Sequence, residues 1–328
     1  MTSDRHSEAL LARGALPESR EPAPACLLCG GPPEATKSLD SETIRRLWAV
    51  LDVNLSPAAL ETLPSGPVVL WRCQKCGFKY HDPRTAGNAL FYAELEQRRK
   101  GYYPSVSWDF LRTIAFAKER GLRSVLDVGC GSGAFLDLAK AAGMETFGLD
   151  FNTHAVEECV RKGHAVFPAT FSEFARRFPN KKFDLITAFQ VLEHVPSPVQ
   201  FLRDASLLAD SGAYFSAAVP TEDGIYRLCP GEPHLWPPHH VSRWRKKDLA
   251  ELGRLCDLKL IKLGAEALYG ADILMFWELY NRLAHVLGRK PYPGKSILPR
   301  LISFVYRKTG ARHYLPQWGK SVFAFYQK

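Results

Sequence analysis

Residues 125–133 read VLDVGCGSG, an apolar run that breaks after an acidic residue into alternating glycines. A helical pattern resumes at Phe135, Leu136 and Leu138. This order predicts a strand, a tight turn and a helix, which is the first step of a nucleotide-binding α/β fold. Glycines suit the turn because they permit a positive φ and let a ligand lie against bare backbone.

The glycine loop allows two kinds of ligand. Gly129, Gly131 and Ala134 satisfy the G-x-G-x-x-A fingerprint, which would place a nicotinamide or flavin dinucleotide here. Asp127 favours another ligand, because a carboxylate beside the loop would repel a pyrophosphate and attract an ammonium. S-adenosylmethionine (SAM) has an amino-acid ammonium and no phosphate. Asp150 ends the next predicted strand, residues 145–149, where a carboxylate can accept both hydroxyls of a ribose.

Two segments resemble motifs of the class I SAM-dependent methyltransferases: DVGCGSG at residues 127–133 and FDLITAFQVLEHV at residues 183–195. The resemblance implies an α/β fold with a Rossmann-like sheet, parallel with one antiparallel strand, and S-adenosyl-L-methionine as cofactor. The residues expected at the cofactor are Asp127, Gly129, Cys130, Gly131, Gly133, Asp150, Phe151, Phe189, Gln190, Tyr102 and Tyr103.

Four cysteines form two Cys-x-x-Cys-Gly pairs, Cys26 with Cys29 and Cys73 with Cys76. Each pair can bind one metal, and four thiolates suit a closed, structural Zn²⁺ site. Unrelated free cysteines and a redox dithiol are the alternatives. The gap between the pairs is long and has helical spacing between residues 40 and 63. The second pair and its flanks resemble the small zinc ribbon that precedes the catalytic domain in a subset of bacterial methyltransferases.

The pattern divides the chain into four segments. We expect a flexible leader at residues 1–25, a zinc ribbon with a helical insert at 26–84, a segment covering the cofactor at 85–123, and a methyltransferase domain at 124–328 with a helical insertion at 265–317. Aromatic residues in the third segment, among them Tyr102 and Tyr103, either close over the cofactor or anchor a helix at residues 110–120.

The sequence PHLWPPHHVSRW, residues 233–244, follows the predicted fifth strand at residues 213–220. His239 and His240 are candidate bases there, because histidine titrates near neutrality and can remove an acceptor proton. His194, in the second motif, is a third catalytic candidate. The alternative role for these residues is capping or hydrogen bonding in a loop. A second metal site from His234, His239 and His240 matches no standard spacing.

Charge is concentrated near the end of the chain. The net charge is +9, and residues 268–316 contain eight Lys or Arg against two Asp or Glu. Two helices predicted there, at residues 272–288 and 297–306, would cover the substrate or meet an anionic, lipid-linked substrate at a membrane surface. The N-terminus lacks the apolar run of a secretory signal, and no run is long enough to span a membrane, which predicts a cytoplasmic protein.

These features predict an enzyme that transfers a methyl group from SAM to oxygen or carbon of a small-molecule, sugar or glycan-like acceptor. One alternative is an RNA methyltransferase that binds its substrate through the zinc ribbon. Nucleic acid is disfavoured because the second motif lacks the Asp/Asn-Pro-Pro-aromatic tetrapeptide of enzymes that methylate base amines. The other is a non-catalytic cofactor-binding protein in which the ribbon serves as an interaction module; the intact Asp127, Gly129, Gly131 and Asp150 argue against it.

Overall fold

The computed structural model describes residues 22–99, 102–229, 231–268, 270–288, 304, 308 and 319–328. These residues form two compact units, which we treat separately. The cysteine unit contains the described residues of Met1–Phe91, Pro220–Arg245 and Ala265–Ser321. The sheet unit contains the described residues of Tyr92–Val219, Lys246–Gly264 and Val322–Lys328.

Strands occur in both units. In chain order they are β1 (Pro33–Asp40), β2 (Pro67–Cys73), β3 (Lys79–Tyr80), β4 (Ser124–Val128), β5 (Glu145–Leu149), β6 (Ala165–Phe167), β7 (Phe183–Phe189), β8 (Ala209–Pro220), β9 (Ser242–Arg243), β10 (Lys259–Ala265) and β11 (Ser321–Gln327).

The α-helices are α1 (Ser41–Val50), α2 (Ala89–Arg98), α3 (Trp108–Glu119), α4 (Ala134–Ala141), α5 (Thr153–Arg161), α6 (Phe171–Arg177), α7 (Pro198–Ser206), α8 (Lys246–Leu255) and α9 (Gly270–Val286). Short 3-10 helices lie at Pro83–Thr85, Ile225–Leu228 and Pro233–Leu235. Among the described residues, no helix combines the length and apolar character needed to cross a membrane.

The sheet unit is built on a seven-stranded sheet of order β10-β11-β8-β7-β4-β5-β6. It is mostly parallel with one antiparallel strand, as the sequence predicts. Strands β4 and β7 lie side by side in its middle and are almost continuously apolar, as expected for strands covered on both faces. Because β4 is central, its carboxyl end places the glycine loop at the point where the strand order reverses, where ligands of open α/β sheets bind.

The cysteine unit contains a four-stranded antiparallel sheet of order β1-β2-β3-β9. Helix α1 is the predicted helical insert; Asp40 caps it by accepting a hydrogen bond from the Thr43 amide at 2.6 Å, and it buries Leu47 and Trp48. Strand β9 lies far along the chain, after β8. Its pairing with β3 joins segments that the sequence pattern places in different domains.

The first predicted insertion helix is α9. It packs within the cysteine unit, where the Phe276 ring lies 5.0 Å from that of Tyr226, and Arg282 forms a 3.0 Å ion pair with Asp52. The second predicted insertion helix, residues 297–306, lies outside the described residues except for Phe304, and the leader at 1–25 is described only from residue 22.

Candidate functional site

The glycine loop joins β4 to α4 in the sheet unit. Gly129, Gly131 and Gly133 have φ of 70°, 50° and 80°, in the left-handed region that side chains disfavour. A Cβ on Gly131 would lie 2.6 Å from the Tyr103 ring, and one on Gly129 would lie 2.5 Å from Val191. The loop therefore needs glycine both for its backbone conformation and for the close approach of neighbouring side chains.

Asp127 lies at the end of β4, directly before this loop, and is 3% exposed. The register of the parallel pair β4–β7 places it opposite Thr187, whose hydroxyl donates a 2.6 Å hydrogen bond to Oδ1. Burial raises the pKa of the Asp127 carboxyl to about 8, and the nearby Asp150 and Asp109 also raise it. A cationic ligand beside this carboxyl would reverse that effect by stabilising its ionised form.

Asp150 connects the end of β5 to the same loop. Its Oδ2 accepts a hydrogen bond from the Gly131 amide at 2.8 Å, and its Oδ1 accepts one from the Asn152 amide at 2.8 Å. Burial raises the pKa of this carboxyl as well. The next residue, Phe151, is 68% exposed, so its ring is available to stack on a ligand.

The segment before the domain also reaches the loop. The ring of Tyr103 covers Gly131, and the Tyr103 hydroxyl accepts a 3.4 Å hydrogen bond from the side-chain amide of Asn152. The same amide donates to Glu96 of α2. Tyr102 packs edge-on against Tyr103 with ring centroids 5.0 Å apart. These contacts hold residues 102–103 at the loop.

The second motif contributes residues of two kinds. Phe189 packs into the core, with its ring centroid 5.0 Å from that of Phe110 and 4.8 Å from that of Phe135. Gln190 follows with φ of 56°, and its amide donates to the Ala218 carbonyl at 2.8 Å. The chain thus leaves β7 through a left-handed residue, as it leaves β4 through Gly129.

His194 lies beyond this turn in the sheet unit. Its Nδ1 is 3.0 Å from the Tyr92 hydroxyl, and its Nε2 is 3.8 Å from Oε1 of Glu193. Glu193 is 1% exposed, and burial raises the pKa of its carboxyl to about 8. The Tyr92 hydroxyl therefore orients the imidazole through Nδ1.

His239 and His240 belong to the cysteine unit, where they are 6% and 4% exposed. Their rings stack at 4.4 Å, and Nδ1 of His239 lies 3.2 Å from the His234 carbonyl oxygen. Trp48 of α1 packs edge-on against both His234 and His239, at 4.9 and 5.8 Å between ring centroids. The predicted helical insert thus supports the histidine loop.

The four cysteines of the two knuckles converge in the cysteine unit. Sγ of Cys29 lies 3.5 Å from that of Cys73 and 3.4 Å from that of Cys76, and Cys26 and Cys76 are 3.7 Å apart. Four thiolates at about 2.3 Å from a tetrahedral Zn²⁺ would lie about 3.8 Å from one another. All four cysteines are free thiols, so their arrangement fits one metal ion.

A family model described as a methyltransferase domain matches residues 96–263, just over half of the chain. The match includes the glycine loop, Asp127, Asp150 and the second motif. This chain belongs to that family. Its cofactor half is that of a class I SAM-dependent methyltransferase.

Curated relatives of this methyltransferase match over a limited span. A ubiquinone biosynthesis O-methyltransferase of Saccharophagus degradans is 26% identical over 161 residues, which are 42% of this chain and 66% of that protein. The protein of the same name from Bordetella bronchiseptica is 31% identical over 100 residues, 28% of this chain and 40% of that protein. The chain thus covers less than two thirds of the length of these relatives.

Solved methyltransferases are similar at low identity. A SAM dependent methyltransferase from Archaeoglobus fulgidus is 18% identical, with a TM-score of 0.46, covering 74% of this chain and 100% of that one. The plantazolicin methyltransferase BpumL in complex with SAH is 15% identical, with a TM-score of 0.47, covering 73% and 93%. The fold assignment rests on the order of the strands in this chain and on the family match.

Several contacts of this methyltransferase are absent from the sequence prediction. Thr187 could have been found, because the alignment of two neighbouring parallel strands places it opposite Asp127. Glu96, Asn152 and Tyr92 gave no such signal, because their roles depend on side-chain contacts made across many residues of sequence. The sequence predicts Asp127, Asp150, Gly131 and Tyr103 at the cofactor. In the structure Asp150 and Tyr103 both contact Gly131, and Asp127 ends the strand that leads into the same loop.

Proposed function

We propose that this methyltransferase transfers the methyl group of SAM to an oxygen atom of a small-molecule acceptor. The observation that carries the donor assignment is the buried carboxyl of Asp127 beside a glycine loop that Tyr103 covers. The names of the curated relatives, O-methyltransferases of ubiquinone biosynthesis, favour oxygen over carbon. A sugar or glycan-like acceptor remains within this proposal, since many such acceptors also present hydroxyl groups.

Each cofactor residue has a role in this proposal. Asp127 binds the amino-acid ammonium, and Asp150 accepts the ribose hydroxyls while it holds the Gly131 amide. Phe151 stacks on the adenine, and Tyr103 closes the loop side of the site. The remaining residues of the sequence prediction, expected to line the cofactor, are Gly129, Cys130, Gly133, Phe189, Gln190 and Tyr102.

Bound SAM would supply an electrophilic methyl group for in-line transfer to the acceptor oxygen, its S–CH3 bond breaking to leave the neutral thioether S-adenosylhomocysteine. The acceptor proton needs a base. In our proposal His194 takes that proton on Nε2, while Nδ1–H donates to the Tyr92 hydroxyl. Burial raises the pKa of Tyr92, so this hydroxyl stays protonated near neutrality. His239 and His240 are the base candidates of the cysteine unit.

Binding and transfer can be tested separately. Calorimetry of the full-length protein should show saturable SAM binding and much weaker NAD binding; the reverse order would overturn the donor assignment. Transfer is followed with methyl-labelled SAM and a panel of hydroxylated metabolites and sugars. Label found only on nucleic acid, or on no acceptor despite tight SAM binding, would overturn the proposed activity and favour one of the two alternatives.

We also propose that Cys26, Cys29, Cys73 and Cys76 hold one structural Zn²⁺. The fit of the sulfur distances to tetrahedral geometry supports this proposal. Four protein ligands leave no position for water, so the metal would serve folding rather than catalysis. Metal analysis after mild purification should find about one zinc per chain, and a Cys76→Ser variant should retain far less.

Two expectations about location stay proposals. We infer a cytoplasmic protein, in keeping with reduced thiols at all eight cysteines. Contact of residues 265–317 with an anionic or lipid-linked acceptor is a prediction that falls largely outside the described residues. Binding of the protein to vesicles containing anionic lipid, compared with neutral vesicles, would test it.

A further inference from the structure

The side chain of Asn152 makes contacts in two directions within the sheet unit. Its Oδ1 accepts hydrogen bonds from the amides of His154 and Ala155, at 3.1 and 3.5 Å, and so caps the N-terminus of α5. This cap fixes the orientation of the side-chain amide, because only the oxygen can accept from backbone N–H groups. Nδ2 therefore faces away from α5, where it donates to Glu96 of α2 and, at 3.4 Å, to the hydroxyl of Tyr103.

Asn152 also lies between two carboxyl groups. Its backbone amide donates to Oδ1 of Asp150 at 2.8 Å, while its side-chain amide donates to Glu96. Burial raises the pKa of Asp150, and the charge of Glu96 raises it further, so the two carboxyl groups repel each other. His154 lies 3.4 Å from Glu96, but its side chain is 69% exposed and contributes little to this balance. Donors from Asn152 to both carboxyl groups therefore stabilise the arrangement.

Tyr103 connects these contacts to the glycine loop. A Cβ on Gly131 would lie 2.6 Å from the Tyr103 ring, so the ring rests directly on the backbone of the loop. Burial and the charges of Asp150 and Glu96 raise the pKa of the Tyr103 hydroxyl, which stays protonated near neutrality. Asn152 contacts both Glu96 and this hydroxyl, and it thereby joins α2 and Tyr103 to the loop that we assign to SAM.

We propose that Asn152 is a positioning residue of the cofactor site, which holds Tyr103 over the glycine loop and slows the release of the bound ligand. When the contact between Asn152 and Glu96 breaks, Tyr103 loses this support. Its ring can then move away from Gly131 and open the loop side of the site. The network of contacts stands independently of the ligand; the identity of the ligand as SAM, and as S-adenosylhomocysteine (SAH) after transfer, rests on the proposed function.

Asn152→Asp separates the two roles of this side chain. Asp caps a helix as well as Asn does, so the unfolding temperature should stay close to that of wild type. The amide donor is replaced by a carboxylate that repels Glu96, whereas the Tyr103 hydroxyl can reverse its role and donate to the new carboxylate. SAH should dissociate at least about tenfold faster from the full-length variant immobilised on a sensor surface, the usual effect of losing one hydrogen bond to a charged group.

A reciprocal exchange tests whether the contact with Glu96 is responsible. In the double variant Asn152→Asp with Glu96→Gln, the glutamine amide can donate to the new carboxylate, and the total charge equals that of wild type. SAH dissociation should return to within about threefold of the wild-type rate, because the two changes are coupled. Glu96→Gln alone keeps an acceptor for Asn152 and should give an intermediate rate. A double variant that releases SAH as fast as Asn152→Asp would overturn the inference.

Asp184→Ala controls for a general loss of stability in the sheet unit. Oδ2 of Asp184 accepts hydrogen bonds from the amides of Arg123 and Ser124, at 2.7 and 3.0 Å, at the end of β4 opposite the glycine loop. This variant should lower the unfolding temperature and leave SAH dissociation unchanged. Equal acceleration in Asp184→Ala and Asn152→Asp would mean that stability sets the rate, and the inference would fail.

Hydrogen exchange of the unliganded protein distinguishes this inference from the proposed function. The amides of α2 and Tyr103 should exchange faster in Asn152→Asp and return toward wild type in the double variant, whichever ligand the loop binds. If this holds and neither SAM nor SAH binds, the donor assignment fails and the positioning role stands. If both bind and the double variant restores neither exchange nor dissociation, the positioning role fails and the proposed function stands.

Discussion

The carboxyl group of Asp127 is subject to two opposing effects. Its burial, at 3% exposure, favours the neutral form, whereas the ammonium that we propose it binds requires the charged form. The hydroxyl of Thr187 donates to Oδ1 and partly offsets the first effect. SAM binding and loss of the Asp127 proton are therefore linked, so SAM affinity should change with pH in a defined direction.

The affinity for SAM should depend on pH through Asp127. The pKa of this carboxyl in the free protein is raised to about 8, so at lower pH the ligand must displace a proton before its ammonium can pair. Affinity should rise by about tenfold per pH unit between about pH 6 and pH 8 and then level off. Calorimetry across this range measures it, with Asp127→Asn expected to bind weakly and without this slope.

Two other carboxyl groups near Asp127 must be distinguished from it in this experiment. Asp109 and Asp150 both raise the pKa of Asp127, and burial raises their own pKa values as well. Asp109→Asn should keep the rise of SAM affinity with pH. The pH at which the affinity levels off should be lower, because the loss of one negative neighbour lowers the pKa of Asp127. A slope that survives in Asp127→Asn would assign the proton to another group and contradict the prediction.

The histidines separate into two groups that mutation can distinguish. His194→Ala should lower turnover by about a hundredfold or more, within the usual contribution of a general base, while SAM affinity stays within about threefold. Tyr92→Phe removes the hydroxyl on Nδ1 and should shift the pH profile of turnover rather than abolish it. If the combined His239→Ala and His240→Ala variant loses the activity while His194→Ala keeps it, the base lies in the histidine loop.

At the scale of elements, the turn between β4 and α4 is the part that the sequence specifies most closely. Gly131 must adopt a φ of 50° and also leave room for the Tyr103 ring, which would be 2.6 Å from a Cβ. The backbone requirement comes from the turn itself. The space requirement comes from residue 103, which is distant in sequence, so the turn also fixes where residues 102–103 can lie.

Gly131→Ala should therefore weaken SAM binding strongly, since the Cβ displaces the Tyr103 ring as well as straining the turn. Gly143→Ala is the matched control: its φ is 83°, yet a Cβ there would meet nothing within 4 Å. In both variants the strain of an alanine at positive φ should lower the free energy of unfolding by about 1 kcal/mol. Calorimetry should find SAM affinity lowered in Gly131→Ala alone; equal loss in both would show that Tyr103 does not matter.

The sequence predicts those elements whose signal is local. The apolar run of β4, the glycine turn and helix α4 need only neighbouring residues to define them. The sequence predicts strand β8 from residue 213, but the strand begins at Ala209. Phe183 of β7 lies opposite Ala209, whereas Leu185 lies opposite Tyr214, so β8 contains extra residues between these two pairs. The extra residues are accommodated around Gly212 with its φ of 74°, so a sequence typical of a turn lies inside a strand.

The part that the sequence could not predict is non-local. Strands β3 and β9 have two residues each, too short for any periodicity; β3 is defined by its pairing with β2 and β9, and β9 by its pairing with β3. Arg243 of β9 is buried in this sheet, yet in the sequence it is one of 43 Lys and Arg, with nothing to mark it as buried. The pairing that buries Arg243 could therefore not be predicted from the sequence, whereas the glycine turn could.

At the scale of the whole molecule, the two units divide the proposed roles. The residues that we assign to SAM all belong to the sheet unit, and so does His194. The four cysteines and the stacked His239 and His240 belong to the cysteine unit. If zinc holds the cysteine unit together, metal removal should lower methyl transfer and leave SAM binding intact.

Chelation of the metal under reducing conditions tests this division, because a structural zinc site supplies folding free energy that its removal takes away. SAM affinity should change by less than about threefold, whereas methyl transfer should fall at least about tenfold and return when zinc is restored. Cys76→Ser should behave like the chelated protein. Cys256→Ser, at a free cysteine of the sheet unit, should behave like wild type. Loss of SAM binding together with zinc would mean that donor binding also depends on the cysteine unit, and the assignment of one role to each unit would be wrong.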